Sequence, residues 1–335
     1  MKNKLLMTTA LIGSVALAGA AQSEIKIGGS QEVTYAASST ESNTAASNGK
    51  ASGRGIGNET NLNVSGGKDL DNGISIVSKF NIEFDSTNAA KKEVSVQFNM
   101  GDAFFVIAND MTQGLNSISA PRVGDHPSTV AGRAMTTSYT DGYIERNFDD
   151  HLALGFKVAG GNLVGIYAPG TQNGGNDDAA ASTLTTGSGY EITYVGKPVE
   201  GLSVGLGTAS EQSANTNVTK DIDSQKIMVA YTVGAVTAGV EYADKDTNTT
   251  SGNLKSMSYG ATFNAADNLS IGVGYVKTED DDSGNTNPDE KITLLTLGYN
   301  LGGLGVELSY ADIENAANAR GEDAQVIQVR SVIAF

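Results

Sequence analysis

Apolar residues recur at every second position over most of the chain, which is the period of strands with one greasy and one wet face. Ile25, Ile27, Val33 and Tyr35 fall on one parity, and Lys26, Ser30, Glu32 and Thr34 on the other. Ile74, Ile76, Phe80, Ile82 and Phe84 alternate with Ser75, Lys79, Asn81 and Glu83. Val94, Val96, Phe98 and Met100 alternate with Glu93, Ser95, Gln97 and Asn99. Later segments repeat one theme of small and apolar residues in turn: Gly201 to Gly205, Ala235 to Tyr242, Asn268 to Tyr275 and Gly303 to Tyr310. The last three end in Tyr and run into acidic polar loops, so the unit is a repeated hairpin within one sheet.

Alternation and turn residues together predict strands at about 24–36, 57–67, 73–84, 92–100, 102–110, 148–158, 162–169, 187–196, 201–210, 224–233, 236–244, 254–264, 268–278, 290–300, 304–312 and 324–335. The count is even, as in single-chain membrane barrels. Connections alternate in length. Lys68 to Asn72, Gly234-Ala235, Ala265 to Asp267 and Leu301 to Gly303 are tight turns. Between them lie longer polar loops at 37–56, 111–147, 170–186, 211–223, 245–253, 279–289 and 313–323. Short turns at one end and long loops at the other fit a transmembrane antiparallel β-barrel better than a soluble sandwich. The fold class is therefore all-β, with 24–335 a single barrel domain of about sixteen strands.

The first residues read as a secretory signal peptide, 1–23. Lys2 and Lys4 form a basic start, Leu5 to Leu17 an apolar run too short to span a bilayer, and small residues follow up to Ser23. No other stretch is apolar enough for a membrane helix. Cysteine is absent, which excludes disulfides and thiolate metal sites. The net charge of −16 becomes more negative by two once Lys2 and Lys4 are removed, which argues against a nucleic-acid partner. His126 and His151 are the only histidines, and neither sits in a nucleophile motif, so a hydrolase reading has little to stand on.

The signal peptide, the start Glu24-Ile25-Lys26-Ile27-Gly28-Gly29, the turn Lys68-Asp69-Leu70-Asp71-Asn72-Gly73 and the terminal Phe335 together resemble the general-diffusion porins of Gram-negative bacteria. The resemblance covers essentially the whole mature chain. It implies a sixteen-stranded homotrimeric barrel, exported through the periplasm to the cell outer membrane. Its partners would be membrane lipid, lipopolysaccharide and the barrel assembly machinery, for which Phe335 would be the signal. It also implies passive diffusion of small polar solutes and ions through a pore narrowed by an inward-folded third extracellular loop. The third long connection is 111–147, the longest in the chain.

On that expectation the constriction candidates are Arg122, Asp125, Arg133, Asp141 and Glu145 in the loop, and Lys26, Lys79, Glu83 and Arg330 on the wall. Lys26 and Arg330 are expected to be neighbours because the first and last strands pair on closure. The acidic balance favours mild cation selectivity, although lumen charges decide. Tyr35, Tyr242, Tyr275 and Tyr310 recur near the loop ends of strands and suit an aromatic girdle. No cofactor is expected; Asp280, Asp281 and Asp282 are the candidates for loosely bound Ca²⁺ or Mg²⁺. A substrate-selective channel of the same fold is the nearest alternative, and an adhesin or receptor barrel a more distant one.

Overall fold

In the computed structural model the described residues are 25–44, 47–85, 88–109, 114–122, 129–130, 133–134, 150–169, 188–212, 221–247, 252–282, 284 and 286–335. Sixteen of their strands close into one antiparallel barrel. They are β1 (Ile25–Thr44), β2 (Ser47–Asp69), β3 (Ser75–Asp85), β4 (Asn88–Met100), β5 (Ala103–Asn109), β6 (Asp150–Val158), β7 (Gly161–Ala168) and β8 (Gly189–Val199). The second half is β9 (Leu202–Glu211), β10 (Ile222–Val233), β11 (Val236–Asp246), β12 (Leu254–Ala266), β13 (Leu269–Asp280), β14 (Glu290–Asn300), β15 (Leu304–Glu314) and β16 (Glu322–Ala334). Each strand pairs with its sequence neighbours, and β1 pairs with β16 from Ser30↔Ala334 to Ser42↔Glu322. Gly29 and Phe335 extend that seam by exchanging both backbone bonds, at 2.8 and 3.0 Å. Closure leaves no sheet edge within the ring, which is what a backbone needs in hydrocarbon.

Alternation fixes which face looks out. Leu154, Phe156, Ile227, Val229, Leu295 and Ile327 are all exposed large apolar residues on one parity. Their neighbours Ala153, Gly155, Met228, Leu294, Val326 and Gln328 take the other parity and turn inward. A contiguous apolar exterior is the face a bilayer covers. No helix among the described residues is long and apolar enough to cross a membrane.

The structure departs from the predicted loop at 37–56. β1 continues to Thr44 and β2 begins at Ser47, in register from Thr44↔Ser47 down to Ile25↔Gly66. Gly53 to Gly57, which reads as a flexible loop, lies inside β2. The residues there are mostly Ser, Thr, Asn, Gly and Ala. Backbone pairing continues while neither side-chain row needs to be greasy, so periodicity carries no signal. β3 starts to pair with β2 only at Glu59↔Asp85. Within 111–147, two-residue strands Thr129–Val130 and Arg133–Ala134 form a small hairpin, and Thr129–Val130 lies beside β1 and β16. The signal segment 1–23 lies outside the described residues.

Candidate functional site

The site is the inner wall and the chain segment seated on it. After β5, residues 114–117 form one 3-10 turn. Leu115 and Ile118 are 0 % exposed, packed with Ala209 of β9 and Met228 and Ala230 of β10, all on the inner parity. Two glycines of β9 make that seat. A Cβ on Gly205 would come within 2.9 Å of Ile118, and one on Gly207 within 2.5 Å of Leu115. Gly114 takes φ +72, and a Cβ there would run into the Glu191 carboxylate. Burying Leu115 and Ile118 contributes about 1.5–3 kcal/mol each.

Three charged side chains from the wall hold the backbone of this segment. Glu191 of β8 accepts the Leu115 N–H at 3.0 Å. Glu241 of β11 accepts the Ala120 N–H at 2.7 Å. Lys226 of β10 donates to the Ile118 carbonyl at 3.1 Å and lies 3.5 Å from Glu241. All three are buried. Sequence reasoning missed this clasp. Its signal was present: each residue is a lone charge on inner parity, flanked by outward residues such as Tyr190 and Ile192, Ile227, or Val240 and Tyr242.

The predicted loop residues fare unequally. Arg122 is half-buried and within electrostatic reach of Glu241. Arg133 is placed by its backbone in the small hairpin. Asp125, Asp141 and Glu145 lie outside the described residues, as does His126. His151 is buried on the inner face of β6.

The predicted wall residues all fall on the inner face. Lys26 and Lys79 share one register row through Ser65. Lys26 and Arg330 are not neighbours: Arg330 stands opposite Thr34, eight positions up β1. The seam is staggered, so the first residues of β1 lie below the last strand rather than beside its centre. Arg330 instead pairs with Glu32 at 2.6 Å and lies 3.9 Å from Glu307 of β15. Glu32 faces Glu59 of β2 across the ladder, and Glu83 lies on the same face of β3. Glu32, Glu59, Glu83 and Glu307 thus line this arc with the Arg330 guanidinium bound among them, and Lys26 and Lys79 lie nearer its turn end. Glu32, Glu59 and Glu307 were missed because inner parity alone does not say which strands meet.

Tyr35, Tyr242, Tyr275 and Tyr310 all lie on the outward parity. Tyr35 stands between Ile56 and Val329, Tyr242 opposite Ile227, and Tyr310 opposite Leu295 and Ile327. Tyr259 stands opposite Tyr275, with ring centroids 6.4 Å apart. Further toward the loops, outward charges pair: Lys255 with Asp281 at 2.6 Å, Lys277 with Asp289 at 2.9 Å and Lys291 with Glu314 at 3.2 Å.

The three loop aspartates hold the rim together. Asp280 accepts from Asn287 at 3.0 Å, and Asp281 pairs with Lys255. Asp282 accepts the Gly252 and Asn253 N–H groups, both at 2.9 Å. Desolvation pushes the Asp282 pKa up, but the N–H groups of Asn253 and Gly252 outweigh it and hold the carboxyl below its ordinary value. Among the described residues no group of three or more His, Asp or Glu side chains is placed to hold a metal ion.

Comparison with solved structures places the same architecture in known company. The anion-selective porin of Comamonas acidovorans superposes with a TM-score of 0.68 at 15 % identity, covering 94 % of this chain and all of that one. A substituted form of the Rhodopseudomonas blastica porin superposes at 0.59 with 13 % identity, covering 93 % of this chain and all of that one. At such identities the likeness speaks for the fold alone. No curated protein matches the chain by sequence. The family model for Gram-negative porins matches residues 8–332, nearly the full length, and the chain belongs to that family of outer-membrane β-barrels.

Proposed function

We propose that this barrel is a water-filled outer-membrane channel for passive diffusion of small hydrophilic solutes and ions, mildly selective for cations, and that it performs no catalysis. The observation that carries the reading is the segment 114–120 held on the inner wall by Glu191, Lys226 and Glu241. A segment fixed inside a barrel narrows the lumen, and narrowing with fixed charge is how pores select. Cation preference follows from Glu32, Glu59, Glu83 and Glu307 on one arc, where Arg330 is already bound to two of them. Lys26 and Lys79 lie toward the turn end of the same arc and weaken the preference rather than reverse it. The Comamonas relative is anion-selective by name, but no residue carries over at that identity, and each chain's own wall decides.

The homotrimer, export through the periplasm, Phe335 as the signal to the barrel assembly machinery, the tyrosine girdle at headgroup depth, and contacts to lipopolysaccharide belong to the same proposal. The paired outward charges beyond the tyrosines suit a headgroup layer, where Ca²⁺ or Mg²⁺ would bridge lipopolysaccharide to rim carboxylates.

The test is single-channel recording of detergent-purified protein in a planar bilayer under a salt gradient. Linear current in steps of three, with a cation-side reversal potential, is the expected outcome. An anion-side reversal overturns the selectivity. Folded protein that carries no current overturns the channel.

A further inference from the structure

The loop-side half of the inner wall departs from the expected wet lining. Val276 of β13, Ile292 and Leu294 of β14, Ala311 and Ile313 of β15 and Val326 of β16 all take the inner parity, and none is more than 4 % exposed. β14 is therefore apolar on both faces, with Leu295 and Leu297 turned outward. Apolar side chains facing a water-filled lumen are unfavourable unless something covers them.

The connection between β15 and β16, residues 315–321, supplies cover. Ala316 packs directly on the cluster. Asn318 is 5 % exposed and donates to the Thr278 carbonyl of β13 at 2.9 Å and to the Pro288 carbonyl at 3.1 Å. Asn315 donates to the Asp289 carbonyl at 3.2 Å, and its own backbone N–H is held by Asp323 at 3.0 Å. Asn315 and Asn318 take φ of 53° and 54°, which asparagine tolerates better than most residues and which lets so short a segment double back. The loop thus leans from its own hairpin across β14 to β13, on the lumen side of the wall.

Arg320 sits on this loop and is exposed. It is the only basic residue in connections 281–289 and 315–321, and Asp281, Asp282 and Asp289 surround that rim in sequence. A fixed charge reaches solutes only within about 8 Å at physiological salt, so a loop seated on the inner wall matters where one standing clear of the rim would not.

We infer that loop 315–321 is a second inner-wall loop, seated on the apolar patch of β13–β16, and that Arg320 is a specificity-determining cation at the extracellular entrance, opposing cations and favouring solutes that carry carboxylate or phosphate. The inference rests on the channel reading. If the wild-type barrel carries no current, that reading fails first and separately.

The absence of cysteine makes the test clean, because Arg320→Cys introduces a single thiol. Channels in a planar bilayer at low salt are treated from the loop side with a negatively charged methanethiosulfonate reagent and then, in separate membranes, with a positively charged one. Glu314→Cys, on the outward face of the same hairpin, is the control. Arg320→Cys raises the cation-to-anion permeability ratio about four-fold: one unit charge roughly 10 Å away in water gives a Boltzmann factor of about two, which acts on the cation and, with opposite sign, on the anion. The anionic reagent raises it further, the cationic reagent restores it, and Glu314→Cys responds to neither. Equal responses at the two positions overturn the role of Arg320. Ala316→Asp in the Arg320→Cys background puts a charge into the apolar seat, and the reagent effect then falls to that of the control. Full retention of the effect overturns the seat.

Discussion

Lys226→Met isolates the clasp that holds the inner segment. The ammonium is 2 % and the Glu241 carboxylate 6 % exposed, so neither charge has water to fall back on. Removing the lysine leaves the carboxylate buried without its nearest counter-charge and takes the donor from the Ile118 carbonyl. Breaking one partner of a buried pair costs about 3–5 kcal/mol. Arg122 stays within reach of Glu241 and places the outcome near the lower end. Glu241→Gln alone leaves the ammonium buried without the Glu241 counter-charge and costs about as much. The double substitution removes both charges of the pair, keeps an acceptor for the Ala120 N–H and leaves the Ile118 carbonyl without its lysine donor, which costs about 1–3 kcal/mol. The double variant is therefore more stable than either single one, with a coupling of at least about 3 kcal/mol. Urea unfolding of detergent-refolded barrel, followed by the far-ultraviolet strand signal and by mobility on unheated gels, measures all four proteins. Additive losses would refute the reasoning, because they would mean the two charges are solvated independently.

Four further outcomes are expected. Arg330→Gln frees Glu32 and Glu307 of their common cation, so the reversal potential under a salt gradient moves to the cation side; movement the other way would place the controlling charges elsewhere. Gly207→Val drives a side chain into Leu115, destabilises the seat by about 1–3 kcal/mol and makes single-channel current noisier, whereas Gly57→Val, where a Cβ meets nothing within 4 Å, leaves the current steady. Gly29→Val drives a side chain into the Asn61 backbone carbonyl of β2 and the Phe335 ring, and lowers the fraction of folded barrel on unheated gels. The Asp282 carboxyl titrates lower when folded than unfolded, so its bonds to Gly252 and Asn253 contribute fully above the ordinary value of 3.8 and are lost as the pH falls through the lower folded value. Exchange of those two amides, corrected for intrinsic rates, is flat from pH 7 to pH 5 and accelerates below pH 4, and Asp282→Asn abolishes the pH dependence.

The ring was legible because lipid imposes a rule on every strand that touches it: Ile227, Val229, Leu295 and Ile327 must be apolar, and the period of two exposes them. The rule lapses where lipid ends. Residues 37–56 therefore read as loop although the backbone ladder continues to Thr44↔Ser47. It also fails inward, where the assumption of a wet lining hid the patch around Ile292 and Ile313, because a covering loop rather than solvent decides those positions. Parity placed Lys79, Glu83 and Arg330 on the correct face. It could not give stagger, so Arg330 was matched with Lys26 when its partners are Glu32 and Glu307. The clasp of Glu191, Lys226 and Glu241 joins residues more than seventy positions from the backbone it holds, a distance no local pattern spans.

The seam between β1 and β16 has a consequence for how such a molecule comes into being. Arg330 and Glu32 are 298 positions apart, yet the ladder they belong to is what removes the last pair of free edges. Loop-closure entropy rises slowly with length, so joining distant ends is thermodynamically modest. The kinetic side is harsher. Until β16 meets β1, every partly zipped form presents two rows of unpaired amides and carbonyls that can recruit another chain. A chaperone that caps those two rows and releases them only to each other would change yield far more than it changes the stability of the finished ring. Substitutions along Ser30 to Ser42 should therefore be scored by how much protein reaches the closed form, before being scored by how long it lasts.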